Sequence, residues 1–491
     1  MAWSVKGKPM QPNKNKEMKA TLLSVALMLT SVATLTSCLG GDDDVITYPR
    51  DAAITAFSLG TLNRYLTTTS RTGADSIVKS TVTGSYFKFY IDQVGRTIYN
   101  PDSLPYGTDV AHVICSITSR NSGRVLVKNI NSDTLIYYVS TDSIDFSVPR
   151  TLKVVSLDGS NTVDYTVTVN VHKEEADTFY WQQLATDENI ASATGMKAVP
   201  LGGKMLLFCS YGNRGAIFAS PSTDGANWMP LSWNIGSSVP ANAYRNVVVM
   251  NGHAYLYAQG NILRSDDGTT WQVTGAAELH SLVAASSSKL YALDEGLQLI
   301  SSADEGATWE KEQLDNSGNL LPTTDVSFVC TPSRLDADTE IVTLIGNRDE
   351  GDYPGDLQAH VWSKVADYSV FSTHDPWLYV NPDDRADLTL PCLTSLSTVS
   401  YDGGILAAGG KGRGACQDKG YQQFYSSFDG GIYWNASPTC AFPSGFQCGD
   451  AFTMAIDEDG RLWLFCGDSG QVWRGRKSAG GDATLPSAFT E

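Results

Sequence analysis

The strongest constraint on the fold is a short motif that occurs four times between residues 222 and 434. Each copy contains a serine, an aspartate, a glycine and a tryptophan within seven or eight residues. The copies are Ser222–Trp228, Ser265–Trp271, Ser302–Trp309 and Ser427–Trp434. Their aspartates are separated by 43, 37 and 125 residues. A unit that recurs about every 40 residues is typical of a ring of four-stranded sheets, the blades of a β-propeller.

Each residue type in the motif has a physical role at the corner of a β-hairpin. The aspartate carboxylate accepts turn N–H groups, the glycine adopts a backbone angle that other residues avoid, and the tryptophan packs between neighbouring sheets. We therefore interpret these residues as structural. They are Asp224, Trp228, Asp267, Trp271, Asp304, Trp309, Asp429 and Trp434. The two longer copies resemble the Asp-box of sialidase-like β-propellers.

The strand patterns around the motifs predict six blades over residues 178–491, with seven as the alternative. The long gap between the third and fourth motifs contains a degenerate unit, with strand-like runs at 341–345 and 359–364 and a further run at 369–371. The end of the chain supplies only three strands. The segment 179–184 resembles the strand that follows a motif, so we expect it to complete the last blade and close the ring.

Residues 52–174 lack the repeated motif and have a different residue pattern. Short runs alternate apolar and polar residues, are rich in β-branched and aromatic side chains, and are separated by turn residues. This pattern predicts antiparallel strands with one solvated face, and about 120 residues of it suggest an immunoglobulin-like β-sandwich. The fold class is therefore all-β, with an N-terminal sandwich followed by a propeller.

Residues 1–37 have the layout of a signal peptide, since lysines precede an uncharged apolar run. The run ends in Leu35-Thr36-Ser37-Cys38, which resembles the lipobox of bacterial lipoproteins. That resemblance implies that Cys38 is acylated and that residues 38–51 form an acidic linker. The linker resembles an outer-surface export signal, so we expect a lipid anchor in the outer membrane and exposure to the cell exterior.

The charge of the chain narrows the choice of partners. The formal net charge is −18, and removal of residues 1–37, with five lysines and one glutamate, leaves −22. Such an acidic protein is a poor partner for nucleic acid. Two pairs of cysteines lie in irregular segments where disulfides can form, Cys392 with Cys416 and Cys440 with Cys448.

Arginines beside glycines mark the predicted face of the propeller opposite the motifs. Arg214, Arg348 and Arg413 each fall in a loop between the second and third strands of a blade. Two interpretations remain open: the arginines converge on an anion pocket, resembling the arginine triad of sialidases, or they pair with acids such as Asp349 and Glu350. Further candidate ligand-binding residues on this face are Tyr211 and Arg245, with Tyr244, Trp233, Tyr353 and Trp377 as aromatic neighbours.

The chain contains no Arg-Ile-Pro motif, which sialidases carry, and the histidines show no metal-ligand spacing. We expect no catalytic residue, metal or cofactor.

As a whole the chain resembles outer-surface lipoproteins of gut-type anaerobes. The predicted function is non-catalytic binding of a glycan, glycoprotein or protein partner. A glycoside hydrolase or lyase and a scaffold in an outer-membrane assembly are the alternatives.

Overall fold

The computed structural model describes residues 48–69, 75–333, 338–367, 375–380, 386–417, 421, 423–478 and 487–488. The signal peptide, Cys38 and most of the acidic linker lie outside the described residues. Contacts divide the described chain into two compact units. The first contains residues 48–63, 81–101 and 109–170, and the second contains the described residues within 64–80, 102–108 and 171–488.

The N-terminal region is built from β-strands. They are β1 Ile54–Leu59, β2 Thr61–Thr69, β3 Asp75–Thr83, β4 Tyr90–Asp92, β5 Thr97–Tyr99, β6 Asp102–Ser103, β7 Cys115–Ser119, β8 Arg124–Lys128, β9 Leu135–Tyr137, β10 Arg150–Val155 and β11 Thr162–Thr168. Six of them form one sheet in the order β4-β5-β11-β10-β8-β9, while β1 pairs with β7. The expectation of purely antiparallel pairing is wrong, because β5 and β11 are parallel. A parallel pair needs a long crossover, which the chain between these strands supplies.

Six four-stranded sheets occupy the described part of the second unit. Their strands are β12 Phe179–Thr186; β13 Gly195–Leu201, β14 Lys204–Ser210, β15 Gly215–Pro221, β16 Met229–Pro230; β17 Val247–Met250, β18 His253–Ala258, β19 Asn261–Ser265, β20 Gln272–Ala276; β21 Leu279–Ala285, β22 Leu290–Asp294, β23 Leu299–Ser302, β24 Glu310–Lys311; β25 Thr324–Pro332, β26 Thr339–Asn347, β27 His360–Asp367, β28 Leu378–Val380; β29 Ser397–Tyr401, β30 Gly404–Ala408, β31 Tyr425–Ser427, β32 Asn435–Ala436; and β33 Phe452–Ile456, β34 Leu462–Cys466, β35 Gln471–Lys477.

In the described residues, helical structure is limited to single turns. They are α1 Glu188–Ala191 and the 3-10 turns Gly84–Tyr86, Arg120–Ser122, Ala243–Arg245, Gly318–Leu320, Ala386–Leu388 and Gly414–Cys416. A last short strand, β36 Ser487–Ala488, pairs with β6. In the sheet that begins with β25, which lacks a motif, the fourth strand is β28, whereas the run predicted at 369–371 lies outside the described residues.

The ring of sheets closes through the two ends of the propeller domain. Strand β12 pairs antiparallel with β35, so the start of the domain supplies the outer strand of its last sheet. The first strands of consecutive sheets are neighbours, and β33 of the last sheet lies beside β13 of the first. This confirms the ring closure predicted from residues 179–184, and the pairing with β12 covers the outer edge of β35.

The motif corners show how each residue type is used. The Asp267 carboxylate accepts hydrogen bonds from the N–H groups of Thr269 and Thr270 at 2.8 Å each. In all four copies the tryptophan indole N–H donates to the carbonyl of the motif glycine, at 2.9 to 3.1 Å. These hydrogen bonds hold the indole rings against the sheets, where Trp228, Trp271 and Trp434 are buried.

The first copy differs from its prediction. Ser220, not Ser222, accepts the hydrogen bond from the motif glycine Gly225, at 3.0 Å. Ser222 instead contacts the Gly203 carbonyl at the neighbouring turn. The first two copies therefore have equal spacing in the sequence but form different turns. In the first copy, the serine that accepts the glycine N–H lies two residues earlier than in the second copy.

Candidate functional site

The direction of the strands defines two faces of the propeller. In each of the first five sheets the first strand runs away from one face, the second returns to it, and the third leaves it again. The loops between second and third strands therefore lie on the face where the first strands begin. The four motifs follow third strands and lie on the opposite face, which we call the box face.

A cavity of about 330 Å³ opens where the first strands begin. We call it the axial funnel. Its charged and titratable lining residues are Lys197, Tyr244, Arg245, His280 and Asp325. Ser281 and Thr394 also line it, but their hydroxyl oxygens are buried and have no hydrogen-bond partner among the described residues. The charge that the funnel offers a ligand therefore comes from the first set of residues.

Lys197 is the most unusual residue of the funnel. It lies in β13 between Met196 and Ala198, both buried, and its ammonium group is 5.7 Å from the centre of the Phe328 ring. None of the described carboxylates forms an ion pair with it. Burial lowers the pKa of Lys197 to about 8. A cation held among protein groups without a counterion attracts an anion from solution.

Arg245 and Tyr244 lie at the funnel rim, on the 3-10 turn Ala243–Arg245. The Arg245 Nε donates to the Tyr244 hydroxyl at 2.8 Å, and the guanidinium is 5.4 Å from the centre of that ring. Gly195 makes room for this ring, because a Cβ at that position would lie 2.4 Å from Tyr244 Cζ. Arg245 is exposed, so its remaining donors face solvent.

Arg413 reaches the funnel wall but is neutralised there. Its Nη1 donates to Asp325 Oδ2 at 2.9 Å and to Thr324 Oγ1 at 2.7 Å, and its Nε lies 3.5 Å from Glu350 Oε2. The other Asp325 oxygen accepts the Ser395 N–H at 3.0 Å. Asp325 adopts a left-handed backbone conformation with φ of 48°. These contacts make Asp325 and Arg413 a fixed part of the wall.

Arg348 is held by a second network. Its Nε and Nη2 donate to the two oxygens of Asp356 at 2.9 and 2.5 Å, and its guanidinium is 3.6 Å from the centre of the Tyr353 ring. His360 Nε2 contacts Asp356 at 3.2 Å, and the Tyr379 hydroxyl contacts His360 Nδ1 at 3.0 Å. Burial raises the pKa of Asp356, but the hydrogen bonds from Arg348 and His360 outweigh it and keep the pKa below its usual value.

The three arginines do not converge on one anion pocket. Arg348 and Arg413 border one narrow crevice, and each is paired with carboxylates. Arg214 is exposed, and its guanidinium lies 5.7 Å from the centre of the Tyr211 ring, whose hydroxyl donates to the Asn189 carbonyl. The pairing interpretation holds for Arg348 and Arg413, although Asp356 and Asp325 are the principal partners. Trp377 is fully buried and cannot act as an exposed platform.

All eight described cysteines are free thiols. Cys448 lies against Cys466, not against Cys440 as the sequence suggested, because both flank the hydrogen bond between Gly449 and Gly467. Cys392 and Cys416 are neighbours, and their thiols donate to the consecutive carbonyls of Asp356 and Leu357. Burial raises the pKa of Cys392 to about 12, which keeps its thiol protonated.

The described part of the chain offers neither a metal-binding cluster nor a membrane-spanning helix. In the described ranges, no group of three or more histidine, cysteine, aspartate or glutamate side chains is arranged to hold a metal ion. None of the helices in the described part of the chain has the length and apolar character needed to cross a bilayer.

Comparison with known families identifies both parts of the chain. Residues 175–481 match the DUF6242 beta propeller domain. Residues 57–169 match the DUF6242 N-terminal domain, where DUF6242 denotes a domain of unknown function. The chain belongs to the DUF6242 family. This agrees with the predicted all-β fold class of N-terminal sheets followed by a propeller.

Solved structures that resemble this DUF6242 protein share little sequence with it. A Trichoderma reesei carbohydrate-active enzyme of family AA12 is 11% identical, with 62% of this chain and 96% of that chain covered and a TM-score of 0.37. BamB from Moraxella catarrhalis is 13% identical, with 89% and 96% covered and a TM-score of 0.27. A GH43_1 enzyme from Xanthomonas citri complexed with xylose is 10% identical, with 64% and 94% covered and a TM-score of 0.29. The curated proteins gave no match.

Proposed function

We propose that this DUF6242 protein is a non-catalytic binding protein of the outer membrane, and that its axial funnel captures a ligand bearing a carboxylate. The observation that carries the proposal is Lys197, a residue that lines the funnel and whose ammonium group has no carboxylate partner in the described chain. Arg245 adds a second cation at the rim. In a chain with a net charge of −18, such a site favours an anion that the rest of the surface repels.

Binding is favoured over glycoside hydrolysis by the acids available. That reaction ordinarily uses two carboxylates on either side of the scissile bond. Asp325 is the one carboxylate among the described residues that line the funnel, and Arg413, Asn347 and Ser395 occupy its oxygens. A carboxylate whose two oxygens both accept hydrogen bonds from the protein is suited to holding the funnel wall in place rather than to transferring protons.

The binding proposal is tested with matched charged and neutral sugars. Galacturonate and galactose differ by one carboxylate, so calorimetric titration of both into the Cys38→Ala chain isolates the charge. We expect galacturonate to bind more tightly, and Lys197→Met to weaken it at least about tenfold, because a hydrogen bond to a charged group is lost. Lys204→Met is the control, since Lys204 is exposed and outside the funnel lining. Equal binding of both sugars, or an unchanged Lys197→Met variant, would contradict the proposal.

The proposed location is tested separately. Acyl chains on Cys38 would each contribute about 0.8 kcal/mol per buried methylene, enough together for stable anchoring. Cys38→Ala should therefore move the protein from the membrane fraction to the soluble fraction, while Cys330→Ser should leave it in the membrane. Digestion of intact cells with an external protease then reports surface exposure. A membrane-bound Cys38→Ala chain would show that Cys38 is not the anchor.

A further inference from the structure

A second cavity continues from the axial funnel towards the box face. It measures about 350 Å³ and shares Lys197, Ser327, Ser397 and Thr453 with the funnel lining. The two cavities therefore meet at the level of these four residues, one of which is Lys197. We call the second one the axial cavity.

The axial cavity is apolar where the funnel is polar. Its wall comes from the middle and far ends of the first strands, and the residues there include Val199, Val248, Val249, Phe328, Val399 and Ile456. Val249, Phe328 and Ile456 are partly exposed, so they present carbon atoms to the cavity. Burial of apolar ligand surface against such a wall contributes about 25 cal/mol for each Å² removed from water.

Polar groups of this wall are satisfied within the protein. Thr398 donates its N–H to Ser327 Oγ at 3.0 Å, and the two hydroxyls are 2.8 Å apart. Ser397 Oγ accepts the Met454 N–H at 2.9 Å. Lys197 is thus the one charged residue that lines both cavities, and it has no ion-pair partner in the described chain.

We propose that the ligand is an amphiphilic carboxylate, whose carboxylate pairs with Lys197 and whose aliphatic chain occupies the axial cavity. The proposal rests on the anion-binding function given above and names its ligand class. The opposite orientation is disfavoured, because a chain in the funnel would contact Asn242, Arg245, His280 and Asp325. Removing such polar groups from water without new hydrogen bonds is unfavourable.

Calorimetric titration of the Cys38→Ala chain with straight-chain carboxylates tests the proposal. Acetate, butanoate, hexanoate and octanoate form the series, each below its critical micelle concentration. We expect affinity to rise about fourfold for each added methylene, which corresponds to the transfer free energy of that group from water. Octanol should bind at least about tenfold more weakly than octanoate, because it lacks the charge that pairs with Lys197.

Two variants separate the two ends of the ligand. Lys197→Met should abolish the preference for octanoate over octanol and keep the apolar contribution. Val249→Thr has nearly the same shape and places a hydroxyl on the cavity wall, so it should weaken octanoate several-fold and leave galacturonate unchanged. Lys204→Met should behave as the unsubstituted chain.

The outcomes distinguish this proposal from the proposed function. If galacturonate binds through Lys197 while affinity does not rise from acetate to octanoate, the funnel binds anions and the amphiphile proposal is overturned. If no carboxylate binds, both proposals fail. If octanol binds as tightly as octanoate, the cavity is an apolar site and the pairing with Lys197 is refuted.

Discussion

Two cationic regions of the propeller differ in how their charge is balanced. Arg348 donates hydrogen bonds to both oxygens of Asp356 and stacks on Tyr353. Arg413 donates a hydrogen bond to Asp325. Lys197 instead lines the axial funnel, and its ammonium group lies 5.7 Å from the centre of the Phe328 ring. A planar guanidinium matched by a carboxylate holds loops together, whereas an unmatched ammonium group in a cavity is available to a ligand.

The comparison also separates what each region contributes to stability. Removing one member of a buried ion pair leaves an uncompensated charge and is strongly destabilising. Removing a desolvated cation that has no counterion relieves an existing penalty. Substitutions in the two regions should therefore change the free energy of unfolding in opposite directions.

The largest effect should come from breaking the paired region. Asp356→Ala leaves Arg348 buried without its carboxylate, since the side chain of Arg348 is only 14% exposed. We expect the free energy of unfolding to fall by about 3 kcal/mol, measured by chemical denaturation. Arg245→Gln is the matched control on the same face and should change it by less than about 0.5 kcal/mol, because Arg245 is exposed. Equal effects would mean that the Arg348 network is not structural.

Lys197→Met should have a smaller effect of opposite sign. Replacing the ammonium group by a thioether removes the desolvation penalty, and methionine adapts well to an apolar wall. The pKa of about 8, compared with 10.5 for an ordinary lysine, corresponds to between about 1 and 3 kcal/mol of added stability at pH 7. Thermal unfolding of the two chains at equal concentration measures this. A destabilised variant would show that Lys197 has a stabilising partner and that the contrast between the regions is false.

The same contrast should depend on pH. The folded pKa of Lys197, about 8, lies below its unfolded value of 10.5, so the unfolded chain binds the proton more tightly. The free energy of unfolding of the unsubstituted chain should therefore rise relative to Lys197→Met between pH 8 and 10.5. Carboxylate binding should weaken over the range where the ammonium group is lost. The charged groups that line the same funnel, Arg245, His280 and Asp325, are present in both chains and cancel in the difference.

The sequence predicted the architecture better than the site. Alternating apolar runs and repeated corners specify sheets locally, so the propeller, and the closure of the ring by residues 179–184, followed from patterns within single blades. The ion-pair partners of the arginines could not be predicted from patterns within single blades. Arg413 and Asp325 are 88 residues apart, and only the assembled ring brings them together.

Lys197 was missed for a related reason. Within β13 a single lysine between apolar residues looks like a solvent-facing position of an edge strand. The signal that was available is its alignment with other first strands: Lys197, Ser327, Ser397 and Thr453 are the polar residues that line the axis at one level. Polar residues at equivalent positions of several first strands indicate an axial cavity. The charged residue among them indicates the sign of the ligand charge that the cavity favours.

The smallest predicted effect concerns the corners on the box face. The hydrogen bonds to the Asp267 carboxylate, from the Thr269 hydroxyl and the N–H groups of Thr270 and Thr269, lower its pKa. Within the described part of the chain, the Asp224 carboxylate accepts a hydrogen bond from the Asn227 side chain alone. Asp267→Ala should therefore reduce the free energy of unfolding by about 1 kcal/mol, and Asp224→Ala by less than half of that. Because a lowered carboxyl pKa stabilises the folded state only above it, the Asp267 effect should shrink in acid, as the carboxylate is protonated. Equal effects at pH 7 would show that the first corner uses its aspartate as the other does, and that the shift from Ser222 to Ser220 has no energetic consequence.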